Sequence, residues 1–125
     1  MSSSIRERAA STPEMIEAFD DASLLRAALA FEAALAEAEA AEGLIDPAHA
    51  AAISQVCRQG RFDTEALAEA AAHAGTLAIP LVADLRGQVA QVEPLAAKSV
   101  HHGATSQDLA DTALMLQAKA GMAML

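Results

Sequence analysis

The sequence predicts an all-α protein, and three observations carry that prediction. Alanine dominates the 125 residues with leucine and glutamate frequent, three Phe are the only aromatics, and caps or prolines open one helical segment after another. No stretch alternates apolar and polar residues as a half-buried strand does. The length suits one ordinary domain with a core of its own.

Ser11-Thr12-Pro13-Glu14 combines a cap with a proline and predicts a short helix to about Phe19. Asp20 and Asp21 cap a longer one that runs through Glu42, with Leu24, Ala28, Phe31 and Leu35 spaced along one face and Gly43 as its stop. Asp46-Pro47 repeats the signal for a helix ending near Gly60, and Asp63-Thr64-Glu65 begins another ending near Gly75. Pro80 heads a fifth helix from Leu81 to about Glu93, although Gly87 weakens its middle by roughly 1 kcal/mol relative to alanine. Pro94 breaks it, and Lys98 to Thr105 reads as a polar loop. The last helix covers Gln107 to Leu125, capped by Ser106 or Thr105. Its polar residues form only a narrow stripe through Asp108, Asp111, Thr112 and Lys119, so it expects neighbours on most sides.

A net charge of −9, from 17 acidic side chains against 8 Lys and Arg, argues against nucleic acid and against an anionic membrane surface as partners. No run of about 18 apolar residues predicts a membrane span. Met1 to Ser11 is polar, carries Arg6 and Arg8, and does not read as a secretory signal; both arginines read as solvated charges or as a mobile arm toward an anion. A single cysteine, Cys57, permits no internal disulfide and fits a reducing cytoplasm. The four histidines have no carboxylate or cysteine at ligand spacing, so no metal is expected. His49 and His73 read as surface or satisfied structural residues.

The most informative segment is His101-His102-Gly103-Ala104-Thr105-Ser106-Gln107-Asp108, placed directly before the last helix. A helix start offers unpaired N–H groups and the positive end of the dipole, hydroxyls stand beside them here, and Gly103 lets a ligand approach the backbone. By spacing alone the same residues also read as an ordinary cap, with Thr105 and Asp108 forming a reciprocal pair and the histidines in a loop.

His101-x-Gly103-x-Thr105-Ser106-x-Asp108 followed by Asp111-Thr112 resembles the first signature region of the fumarase/aspartase superfamily. Phe31 to Glu39 resembles that family's first long helix, and Ala74 to Val82 resembles its 3-carboxy-cis,cis-muconate cycloisomerase branch; together the likeness covers most of residues 19 to 118. Asparagine is usual in that branch where Thr76 stands, which leaves a hydrogen-bonding role for Thr76 without support. Adenylosuccinate lyases share the helix and the Thr-Ser region but typically carry a His-Asp pair at Ala74-Gly75-Thr76.

The resemblance implies an N-terminal helical domain over residues 1–104 and the start of a long central-bundle helix over 105–125. It also implies a cofactor-free cycloisomerase of the cytoplasm that binds a small tricarboxylate and assembles as a homotetramer. Thr105, Ser106, Gln107 and His101 become substrate-binding candidates, and His101 is also the chain's one candidate catalytic group. Two further signature regions of the family, including a Gly-Ser-Ser loop whose serine is the base, do not occur in this sequence. The chain is therefore expected to be part of an enzyme and inactive by itself. A superfamily lyase such as adenylosuccinate lyase, or a non-catalytic helical interaction module, are the alternatives.

Overall fold

The computed structural model describes residues 5–125, and among them every regular element is helical, as the composition predicts. In chain order these are α1 (Ile5–Ala10), α2 (Pro13–Ala18), α3 (Asp21–Ala41), α4 (Pro47–Gln59), α5 (Thr64–Ala74), α6 (Ala78–Val92), a 3-10 helix (Pro94–Ser99) and α7 (Ser106–Met122). Met1 to Ser4, the first part of the tail judged not to be a signal, lie outside the described residues. The rest of that tail differs from expectation: Arg6 and Arg8 sit on α1, a short helix that buries none of its side chains.

Side-chain caps start five of the helices where the sequence places them. Thr12, Asp20, Asp46, Asp63 and Thr105 accept hydrogen bonds from the backbone N–H groups of Met15, Ser23, Ala48, Ala66 and Asp108. At the end of α3, Gly43 takes φ +76° while its N–H donates to the Ala40 carbonyl and the Leu44 N–H donates to the Glu39 carbonyl. That reciprocal closure satisfies two otherwise unpaired carbonyls, and a left-handed residue is what permits it.

Two boundaries differ from the sequence reading. α6 begins at Ala78 rather than at Leu81, so Pro80 stands inside its first turn, where a missing N–H costs nothing because that N–H has no helical partner. The start is secured by Thr76, whose hydroxyl accepts from the Ala78 N–H at 3.2 Å; the doubted residue has a hydrogen-bonding role, and it is a local one. Part of the expected loop after Pro94 is a 3-10 helix that buries Ala96 and Ser99.

Packing is organised around α3, which contacts α4, α5 and α7. One apolar cluster joins Ala36 of α3 to Ile53 and Val56 of α4, Val82, Leu85 and Val89 of α6, Ala96 and Val100. A second joins Ala28 and Leu29 of α3 to Leu67 of α5, Ala78 and Leu81 of α6, and Leu109 and Ala113 of α7. Each fully buried Leu, Ile or Val contributes about 1.5–3 kcal/mol, so the two clusters supply most of the drive to fold. Glu32 lies between Leu29 and Ala36 on the same helix, at the seam where the clusters meet, and it is 1% exposed.

α7 buries Leu109, Ala113, Gln117 and Gly121, a file with one residue per turn. Gln117 donates from Nε2 to the Ser23 hydroxyl (3.1 Å), which donates to the Ala18 carbonyl (2.6 Å) and so ties α7 to the α2–α3 corner. The outer face is as apolar as the sequence indicates: Leu114, Met115, Leu116 and Met122 are exposed.

Candidate functional site

The segment that follows the 3-10 helix turns sharply at His101, whose φ is +59°, and at Gly103, at +72°. A left-handed histidine is uncommon and persists only where its surroundings hold it. Here the His101 ring pairs through Nδ1 with Glu32 Oε1 and meets Phe31 edge-on, ring centres 6.4 Å apart. The Val100 carbonyl accepts a hydrogen bond from Arg86 Nη2 at 3.3 Å, which brings the arginine of α6 to the same turn. A cavity of about 200 Å³ opens there, lined by Ala78, Ile79, Val82, Arg86, His101 and Ser106. Its walls combine apolar side chains with a cation, an imidazole and a residue bearing a hydroxyl.

Of the residues singled out by sequence, His101 and Ser106 come together on this cavity. Thr105 is exposed and its polar groups are engaged: its hydroxyl accepts from the Asp108 N–H, and its own N–H donates to Asp108 Oδ2 at 2.9 Å. The capping reading of this segment is thus realised, and it leaves the Ser106 hydroxyl and the first N–H groups of α7 open to a ligand. Gln107 points along the helix surface, where its side-chain amide donates to Asp111 (2.7 Å). His49 meets the buried Ser99 hydroxyl through Nδ1 at 2.9 Å, while His73 is exposed and lies 3.6 Å from Glu69. Neither lines the cavity.

Sequence reasoning missed three residues. Arg86 supplies the positive charge, and its signal was the spacing Ile79, Val82, Arg86, which puts the three on one face of α6. Glu32 and Glu39 are both buried on α3, each with one carboxylate oxygen that has no partner among the described residues. They stand seven residues apart, in file with Ala28 and Ala36, although charged helix positions default to solvent. Burial pushes the Glu32 carboxyl above its usual range, further helped by Glu39 and opposed by His101 and Arg86. Nearby Cys57 is driven the same way, to about 12, by burial and then by Glu32.

A larger open cavity of about 610 Å³ lies beside α1 and α2, but it is lined by Glu7, Asp20 and Asp21 with no basic residue among its walls. It is the wrong sign for an anion. The cavity at His101 is smaller and has the complementary chemistry.

A family model described as Lyase matches residues 6–125. The 3-carboxy-cis,cis-muconate cycloisomerase of Bradyrhizobium diazoefficiens is 51% identical over 112 residues, which cover 90% of this chain and 25% of that protein. The enzyme of the same name from Pseudomonas putida is 51% identical over 105 residues, 84% of this chain and 25% of that protein. The crystal structure of 3-carboxy-cis,cis-muconate lactonizing enzyme from Pseudomonas putida superposes with a TM-score of 0.82 at 50% identity, covering 87% of this chain and 25% of that one. The chain thus spans about a quarter of the length of the relatives it matches.

Proposed function

This chain belongs to the lyase family, with the N-terminal helical domain of the fumarase/aspartase fold, and from that premise we propose that it is the N-terminal portion of a 3-carboxy-cis,cis-muconate cycloisomerase. The reaction interconverts that tricarboxylate and a carboxymuconolactone, a step in aromatic-compound breakdown through protocatechuate and β-ketoadipate. A carboxylate oxygen bonds to one carbon of a double bond, the neighbouring carbon takes a proton, and a γ-lactone results. No cofactor takes part.

The observation that carries this reading is the joining of Arg86, His101 and Ser106 around one cavity at the open start of α7. Three carboxylates must be held by a chain whose net charge is −9, so local donors have to outweigh the global field. Arg86 offers a guanidinium, Ser106 its hydroxyl and N–H, Gln107 its backbone N–H, and His101 a ring N–H. Thr105 serves by holding the helix start open in the right place. Residues 105–125 begin the central bundle, and the exposed Leu114, Met115, Leu116 and Met122 are covered in a homotetramer. The single free thiol, Cys57, fits a cytoplasmic protein. Proton transfer to carbon belongs to the Gly-Ser-Ser loop that this sequence does not contain.

Turnover tests the proposal. The 125-residue chain by itself forms no lactone from 3-carboxy-cis,cis-muconate, because positioning without an acid–base group forfeits a factor of about 10² to 10⁴. A chimera in which it replaces the matching quarter of the Pseudomonas putida enzyme does form lactone. Activity of the chain alone that survives exhaustive repurification, or a chimera that cleaves adenylosuccinate in preference, would overturn the assignment.

A further inference from the structure

Nothing in the proposed chemistry uses Glu32, yet the fold buries it completely. Its carboxylate is sealed at the seam of the two apolar clusters, with Oε1 on His101 Nδ1 and Oε2 lacking a partner among the described residues. A buried carboxylate is strongly disfavoured unless it is paired, and this one is paired with the residue on the ligand side of the site. The charged and titratable groups that act on it are His101 from the turn, Arg86 from α6 and Glu39 on its own helix, and Glu32 in turn acts on Cys57 of α4. His101 meets Glu32 through Nδ1, and its Nε2 has no partner among the described residues, while the ring lines the cavity.

We infer that Glu32 is the positioning residue of this site, holding the His101 ring by Nδ1 so that Nε2 meets a carboxylate of the bound ligand as a hydrogen-bond donor. This rests on the polycarboxylate reading above and adds to it the group that orients the imidazole. The pair shares one proton. Whether that proton sits on Glu32 Oε1, beside a neutral ring, or on Nδ1, beside a carboxylate, Nε2 carries its own hydrogen in both arrangements. Nε2 would face an anion with a lone pair only if it gave up that hydrogen, leaving a neutral ring whose Nδ1–H donates to an ionised Glu32. That loss would leave a net negative charge in the apolar seam, which burial opposes. The same contact holds His101 in its left-handed backbone conformation.

The test uses this chain with ¹⁵N-labelled histidine, and tricarballylate (propane-1,2,3-tricarboxylate) as the probe. At neutral pH the His101 Nε2 signal is that of a protonated nitrogen, and it moves when tricarballylate binds. In Glu32→Gln the ring exchanges between tautomers and the probe binds about tenfold or more weakly, with helicity unchanged by circular dichroism. A wild-type Nε2 with the shift of an unprotonated nitrogen overturns the inference whether or not the variant folds. Ring shifts and probe affinity unchanged in Glu32→Gln overturn it as well, since they leave the pair only a staple between α3 and the turn. If the wild-type ring shows the expected shift but tricarballylate does not bind, it is the polycarboxylate reading that fails, while the control of the ring by Glu32 stands.

Discussion

Glu32 and Cys57 occupy one buried seam, and burial moves both away from their charged forms. For Cys57 the thiol is pushed up to about 12, which leaves on the order of one part in 10⁴ as thiolate at pH 8. Native chain should therefore resist iodoacetamide at that pH, labelling only as fast as it unfolds. Rapid stoichiometric labelling without loss of helicity contradicts the burial. For Glu32 the sign runs the other way from a surface carboxylate. A carboxyl raised from 4.5 keeps its proton in the native chain after the unfolded chain has lost it. Its stabilising effect is complete below about pH 4.5 and is lost as pH rises through the raised native value, with a slope of at most about 1.4 kcal/mol per pH unit. Urea unfolding at a series of pH values should show that slope in the wild type and its disappearance in Glu32→Gln. Parallel stability curves would mean the carboxyl is not perturbed.

At the scale of the element, the start of α7 performs two tasks with adjacent residues. Thr105 closes a reciprocal cap with Asp108, whereas Ser106 lines the cavity. The two substitutions should then separate. Thr105→Ala costs about 1 kcal/mol of stability, with earlier amide exchange in the first turn of α7. Ser106→Ala leaves the urea midpoint in place but weakens tricarballylate binding roughly tenfold, about 1.5 kcal/mol, the size of a charge-assisted hydrogen bond. Equal loss of stability in both variants, with binding intact, returns Ser106 to a capping role.

On the scale of the whole molecule, the buried file of α7 is one residue wide, and most of the rest of its circumference is exposed. Leu114, Met115, Leu116 and Met122 are exposed around that circumference. Leaving four such side chains in water forgoes about 6–12 kcal/mol of burial, comparable to the whole stability of a small domain. Second copies of this chain are the occupants available in a pure solution, so sedimentation at micromolar concentration should show self-association, and Leu114→Lys with Met115→Lys should shift it to monomer. A sharp wild-type monomer with a protease-resistant α7 would show that this surface needs no cover.

The sequence alone determined the helices, most of their boundaries and the residues of the first signature region. Caps, prolines and helix-ending glycines act over three or four residues, so Thr12, Asp20, Asp46, Asp63 and Thr105 state their structure locally. α6 shows the limit of that reasoning, because a proline is tolerated throughout a first turn and so marks its neighbourhood rather than its first residue. Only the tertiary structure decided what surrounds His101. Glu32 lies 69 positions from it and Arg86 meets the turn across 14, distances over which composition and periodicity carry no signal. A glutamate in an alanine-rich helix looks solvated in sequence. Whether it is buried depends on which elements pack over it, and here α4 and α7 pack along α3 while His101 comes from the turn before α7, all from separate parts of the chain.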